Sequence, residues 1–200
     1  MAAGSTARGR DARPRQYDLD SLLAVTVSVF NERGYDGTSM EDLAAAAGIT
    51  KSSIYHHVPG KEQLLRLALE RALEGLFAVT REDGAKTGPA IARLDYVLRR
   101  EVEVLAERLP YVTLLLRVRG NTETERWALQ QRKTFDRFVL SLVKKAADDG
   151  DLRRDIDPAI AERLVFGMIN SIVEWYRPGR DSVHDVATAV TALAMAGLRR

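Results

Sequence analysis

Cysteine is absent from the chain, which removes disulfide frames, thiolate metal sites and thiol nucleophiles together. Proline is scarce, six residues in 200. Pro89, Pro110 and Pro158 each stand where a helical pattern opens, a position at which the missing N–H costs nothing. Long hydrophobic runs are missing too. The longest uncharged stretch near a terminus runs only from Val186 to Leu198, whereas a membrane span needs about 20 residues. Residues 1–17 contain no apolar core, so no signal peptide is expected. The chain is therefore expected to be soluble and cytoplasmic.

An excess of one charge is also lacking. Thirty Lys and Arg face 28 Asp and Glu, so bulk charge alone does not announce a nucleic-acid partner. The distribution says more. Residues 1–17 carry Arg8, Arg10, Arg13 and Arg15 against Asp11, whereas from Asp18 to Gly60 the acids outnumber Arg33 and Lys51. A case for DNA must rest on motif and geometry, with a basic arm in support. No glycine-rich phosphate loop, Ser-His-Asp grouping or metal-ligand cluster is visible, which argues against an enzyme. His56 and His57 are adjacent, so on a helix their side chains diverge by about 100°. His184, the third histidine, is remote in sequence. No metal and no cofactor is expected.

What is present is helix. With 46% apolar and 29% charged residues, the composition is that of an ordinary globular chain. Leu22, Leu23, Thr26, Val27 and Phe30 repeat at helical spacing between Asp18, an N-cap candidate, and Gly34. Thr38 and Glu41 read as a capping box for a helix that ends at Gly48. Thr50 then caps a short helix, Lys51–His57, closed by Pro59-Gly60. Longer helices are expected at about Lys61–Val79, Pro89–Arg108, Pro110–Arg117, Glu123–Asp148, Pro158–Tyr176 and Val183–Leu198. The fold class is all-α, with nine helices. Thr122 with Glu125 and Ser182 with Asp185 supply further caps.

Residues 39–58 have the form of a helix-turn-helix. Gly48 is free to take the positive φ of the turn, and Leu43, Ala44, Ala47, Ile49 and Ile54 are apolar at the spacing that locks two helices together. The second helix is left with Lys51, Ser52, Tyr55 and His56 on its outer face, groups suited to phosphates and base edges in a major groove.

The stretch Phe30-x-x-x-Gly34-Tyr35-x-x-Thr38-Ser39-Met40-x-Asp42-Leu43-Ala44-x-x-Ala47-Gly48-Ile49-Thr50-Lys51-Ser52-Ser53-Ile54-Tyr55-His56-His57-Val58-x-x-Lys61-Glu62-x-Leu64-Leu65 resembles the DNA-binding domain of the TetR family. The match spans residues 18–66 without a gap. Val58 stands where the family usually has Phe, and Ser52 where it often has Gly. The resemblance implies a homodimeric regulator with double-stranded operator DNA and a small-molecule effector as partners. It implies a flexible basic arm (1–17), a DNA-binding domain (18–60) and an effector-binding and dimerisation domain (61–200). Thr38, Ser39 and Thr50 would bind phosphate, Lys51, Ser52, Tyr55 and His56 would face the groove, and His57 and Lys61 would clamp the backbone.

In the C-terminal part, Leu164, Met168 and Ile172 of the eighth expected helix and Val186, Val190, Leu193 and Gly197 of the ninth would pair with a second copy as a four-helix bundle. An effector pocket would draw on Tyr96, Trp127, Phe135, Phe138, Phe166, Asn170 and Trp175. The Gly150–Pro158 link resembles that of family members that sense acyl-CoA esters. It points to an acyl-CoA or other hydrophobic effector, and the family resemblance implies a repressor released by it. An activating or ligand-independent regulator of the same fold is the alternative.

Overall fold

Hydroxyls and carboxylates start six of the helices among the described residues. The structure, a computed structural model, describes residues 18–200; the basic arm of residues 1–17 lies outside them. Asp18 accepts from the Ser21 amide at 2.7 Å and opens α1 (Leu19–Arg33). Thr50 opens α3 (Lys51–Tyr55), Thr122 opens α8 (Glu123–Asp148) and Ser182 opens α11 (Val183–Leu198), each accepting the amide three residues on. Such a cap satisfies one of the orphan N–H groups of the first turn and is worth about 1 kcal/mol.

The box at α2 (Met40–Ala47) sits one residue later than expected. Ser39 is the N-cap and pairs reciprocally with Asp42. Thr38 is buried instead, and its hydroxyl donates to the Gly34 carbonyl at 2.7 Å, closing the turn after α1. Both Ser39 and Thr38 precede an acid by three residues, so local spacing does not choose between them. Burial of the Thr38 methyl does.

The remaining elements are α4 (Lys61–Val79), α5 (Asp83–Lys86), α6 (Ala90–Glu107), α7 (Leu109–Arg117), α9 (Pro158–Asn170) and α10 (Ile172–Trp175). Among the described residues there are thus eleven helical segments where nine were expected. The single turn α5 is too short for a periodic signal, and the eighth expected helix is interrupted at Ser171, whose hydroxyl donates back to the Met168 carbonyl at 2.7 Å. No strand occurs among the described residues, and none of their helices is long and apolar enough to cross a membrane.

α4 ties the two ends of the molecule together. It packs against α1, α6, α7 and α8, while α6 is covered by α5, α8 and α11. At Gly75 a Cβ would come within 2.7 Å of Val104 Cγ1, so the close approach of α4 to α6 requires glycine there. α9 and α11 each keep one apolar side in solvent: Ile160, Leu164 and Leu193 are more than half exposed. Met168 and Val186 are half-buried. Two of the expected interface residues, Ile172 and Val190, face inward instead (0% and 7% exposed). Apolar residues on every side of these helices hide which side the protomer uses itself.

Candidate nucleic-acid interface and effector cavity

The helix-turn-helix is built as the spacing suggests. Gly48 takes φ 67°, ψ 30°, the left-handed conformation that favours glycine, and its amide donates to the Ala44 and Ala45 carbonyls to end α2. Leu43 and Ile54 are fully buried between the helices, with Ala44 and Ala47 beside them. Because Ile54 points inward, Lys51, Ser52, Tyr55, His56 and His57 are left in solvent, together with Ser39 and Thr50 at the helix starts. The Thr50 hydroxyl lies 2.9 Å from Ser52 Oγ and 2.8 Å from Ser53 Oγ, which holds the first turn of α3 in place.

The charges around these helices are paired within the protein. The Lys51 ammonium bonds to Glu41, holding the Glu41 carboxyl below the usual range and raising Lys51. Asp42 is held low by the Ser39 hydroxyl and amide, with Arg33 at 3.4 Å adding to this. Lys61, expected at the DNA backbone, points inward. Its Nζ donates to the carbonyls of Tyr35 and Thr38, both at 2.8 Å, and lies 4.2 Å from the centre of the Tyr35 ring. Thr38 and Lys61 therefore stand one layer behind the exposed residues and shape the entry to α2. Glu41, expected to close a capping box with Thr38, instead holds the recognition-helix lysine from ten residues away across the turn.

Below this unit, a cavity of about 570 Å³ opens between α6, α8 and α9. Of the seven residues expected in a pocket, Phe166 and Asn170 line it. Phe135 and Phe138 stand behind Phe166 in an aromatic cluster, with Phe135 ring centres 6.2 Å from Phe166 and 6.4 Å from Phe138. Tyr96 is packed against Gly84, where a Cβ would fall 2.6 Å from its ring, and its hydroxyl donates to Glu82 at 2.7 Å. Trp127 lines a separate cleft between α4 and α8, stacked at 3.3 Å on the Arg66 guanidinium. Trp175 is half exposed on α10. Aromatic rings fill helical cores before they serve ligands, and composition does not separate the two uses.

The other walls are polar, and these residues were missed. Glu101 and Glu162 are buried, Arg132 and Asp136 are half-buried, and Lys133, Arg137 and Arg163 are exposed at the rim. Burial pushes the Glu101 carboxyl well above the usual carboxylate range, Asp136 and Glu162 push it further, and Arg132 opposes them. Burial also raises Asp136 and Glu162. A signal for Glu101 was available: it occupies the apolar stripe of α6, between Val97 and Leu98 on one side and Val104 and Leu105 on the other.

Polar ties join α7 to α1 and α8 to α4. Asn31 Nδ2 donates to the Pro110 carbonyl at 2.8 Å, and Arg117 donates to the Asn31 carbonyl at 2.7 Å. Thr124 at the start of α8 donates to Glu62 at the start of α4, at 2.9 Å.

Comparison with known proteins agrees with this geometry. Residues 22–68 match the model of bacterial regulatory proteins of the tetR family, and residues 87–198 match the tetracyclin repressor-like C-terminal domain. The chain belongs to the TetR family. Its members are DNA-binding regulators, not enzymes, and the all-α fold is theirs. Among relatives of this TetR protein, the transcriptional repressor KstR2 of Rhodococcus jostii is 30% identical over 88% of this chain and 89% of its own. The crystal structure of SCO3833, a TetR-family regulator of Streptomyces coelicolor, is 61% identical, covers 90% of this chain and 91% of its own, and superposes with a TM-score of 0.85. AibR, solved in complex with isovaleryl coenzyme A and operator DNA, is 25% identical over 87% of this chain and 96% of its own, with a TM-score of 0.74.

Proposed function

We propose that this TetR-family regulator is a cytoplasmic, homodimeric repressor that leaves its operator when a coenzyme A thioester enters the cavity between α6, α8 and α9. The observation that carries the reading is the gradient of charge in that cavity. Lys133, Arg137 and Arg163 are exposed at the rim, where they suit the phosphates of coenzyme A. The cavity wall provided by Phe166 leaves an apolar surface for the acyl chain. The AibR complex with isovaleryl coenzyme A lends support by resemblance, as does the similarity to the transcriptional repressor KstR2.

Residues 18–60 would act as the DNA-binding domain and 61–200 as the effector and dimer domain. Ser39, Thr50, Lys51, Ser52, Tyr55, His56 and His57 would contact DNA. Phosphate contacts from the helix starts would set the register, and Lys51, Ser52 and His56 would reach base edges. Exposed Ile160, Leu164 and Leu193 favour a two-fold bundle of α9 and α11. Gly167 and Gly197 are also exposed, with open space where a Cβ would stand, which lets a second copy approach closely.

Release follows from differential binding. The two α3 helices must sit roughly 34–36 Å apart to enter successive major grooves. A ligand that binds better to a state with another spacing shifts the protein toward it. The α4 helix, with the Asn31–Pro110 and Thr124–Glu62 ties, would carry that shift.

The test is anisotropy of a labelled operator duplex, recovered by in-vitro selection, titrated with acyl-coenzyme A thioesters of increasing chain length. A thioester that lowers operator affinity by roughly 5–150-fold supports the reading. Calorimetry should then show its own affinity falling by the same factor when operator is saturating. Operator binding that ignores every thioester counts against it.

A further inference from the structure

A residue that lines the cavity holds a buried polar atom that no described residue satisfies. Glu101 is 5% exposed and lines the cavity, and its Oε2 accepts no hydrogen bond. It projects from the apolar stripe of α6, where Leu94, Val97, Leu98, Val102 and Leu105 are all buried. An apolar side chain at this position would pack without leaving a polar atom unpaired. Glu162 on α9 is buried beside the same cavity, and Asp136 on α8 is half-buried. Lys133, Arg137 and Arg163 are exposed, whereas Arg132 is half-buried like Asp136.

This arrangement restricts what the inner end of a ligand carries. A ligand carboxylate at that depth meets three acids. An ammonium must pass Lys133, Arg137 and Arg163 and then compete with Arg132. A neutral O–H donor meets neither objection, and it finds an acceptor in the Glu101 carboxyl whether or not that group holds a proton. We propose that Glu101 reads the buried end of the effector and that this end bears a hydroxyl group, so that the site selects a hydroxylated acyl chain over a plain hydrocarbon one. The proposal rests on the effector reading of the same cavity and names the class of acyl group. The discrimination is asymmetric. A site built to bond a hydroxyl rejects the analogue that lacks it, because its own polar atom then stays unpaired.

The experiment is calorimetry of the full-length protein with octanoyl-coenzyme A, its β-hydroxy derivative and its terminally hydroxylated derivative. Wild type should bind one of the hydroxylated thioesters roughly tenfold or more tighter than octanoyl-coenzyme A. Glu101→Leu should bind all three within about twofold of one another, while Glu101→Gln, which keeps an acceptor oxygen, should retain most of the preference. Equal affinities in wild type, a preference that survives in Glu101→Leu, or loss of all three ligands in Glu101→Leu overturns the assignment. A parallel comparison of hexanediol with hexanol contains no coenzyme A. If no thioester binds wild type but the diol preference is present and vanishes in Glu101→Leu, the coenzyme A reading falls and the hydroxyl reading stands. If neither set shows a Glu101-dependent preference, the hydroxyl reading falls.

Discussion

The ammonium of Lys61 stands 4.2 Å from the centre of the Tyr35 ring and donates to the Tyr35 carbonyl at 2.8 Å. With a second bond to the Thr38 carbonyl, the first residue of α4 is stitched to the turn that delivers α2. Lys61→Ala removes both bonds; the Tyr35 carbonyl keeps the Thr38 amide at 3.3 Å, while the Thr38 carbonyl loses its donor. Unfolding by denaturant should show a loss of about 1–3 kcal/mol. A simple phosphate contact would behave otherwise: its loss would lower the salt slope of DNA binding by about 1 and leave stability alone. The stability loss should appear here with the slope nearly unchanged.

Lys51 is the reverse case, a recognition-helix cation held in the free protein by exposed Glu41. DNA must win Lys51 from that carboxylate. Glu41→Gln should tighten operator binding roughly twofold to fivefold at low salt, an advantage that fades as salt rises. Lys51→Ala should weaken binding and reduce the salt slope by about 1. Anisotropy titrations across a salt series measure both.

Leu193 is 67% exposed on α11, whereas Val190 is buried in the protomer. Leu193→Asp should therefore leave the protomer folded and place an unpaired charge in the proposed bundle. Analytical ultracentrifugation should find a monomer, and operator binding should be lost with the paired half-sites. A stable Leu193→Asp dimer would remove α11 from the interface. Val190→Asp is not an equivalent test, because it should unfold the protomer.

Glu125 is 5% exposed, and one of its oxygens accepts from the amides of Arg119, Gly120 and Asn121 at 3.1, 2.7 and 2.8 Å. It holds the loop between α7 and α8 next to the Thr124–Glu62 tie. Glu125→Ala orphans three donors and should cost about 2–4 kcal/mol, lowering Tm by roughly 2–4 °C per kcal/mol for a chain of this size. Glu125→Gln should recover part of the loss in a thermal melt at fixed protein concentration.

Glu101 should also leave a mark on pH dependence. Burial, with Asp136 and Glu162 adding to it and Arg132 opposing, raises its folded value above the ordinary 4.5. The folded state thus holds the proton more tightly than the unfolded one. The stabilising contribution is complete below about pH 4.5 and is lost as pH rises through the folded value. The stability of wild type relative to Glu101→Gln should therefore fall steadily from pH 4.5 upward. Urea unfolding of the two proteins across that range checks it, and a flat difference would mean that Glu101 is solvated.

Much of the fold was legible from the chain because helix starts are local. The hydroxyl or carboxylate at Asp18, Thr50, Thr122 and Ser182 lies within a turn of the amide it caps, and Gly48 marks a turn through its own backbone. The family motif was legible for the same reason: residues 30–65 form a nearly contiguous unit. The alternatives at Thr38 and Ser39 were equal by spacing, and the α5 turn had no period to detect.

Sequence by itself therefore determined the helical class, the helix-turn-helix and its exposed recognition face, since each depends on neighbours within a few residues. Only the tertiary structure decided what depends on packing between distant segments. It turned Lys61 inward to Tyr35 and faced Val190 and Ile172 into the protomer. It spent Tyr96 and Phe135 on packing and brought Glu101, Asp136 and Glu162 to one cavity from three helices. A side chain's role there is set by which face of its helix is buried against another, and no local pattern carries that information when every face is apolar or a lone acid interrupts the stripe.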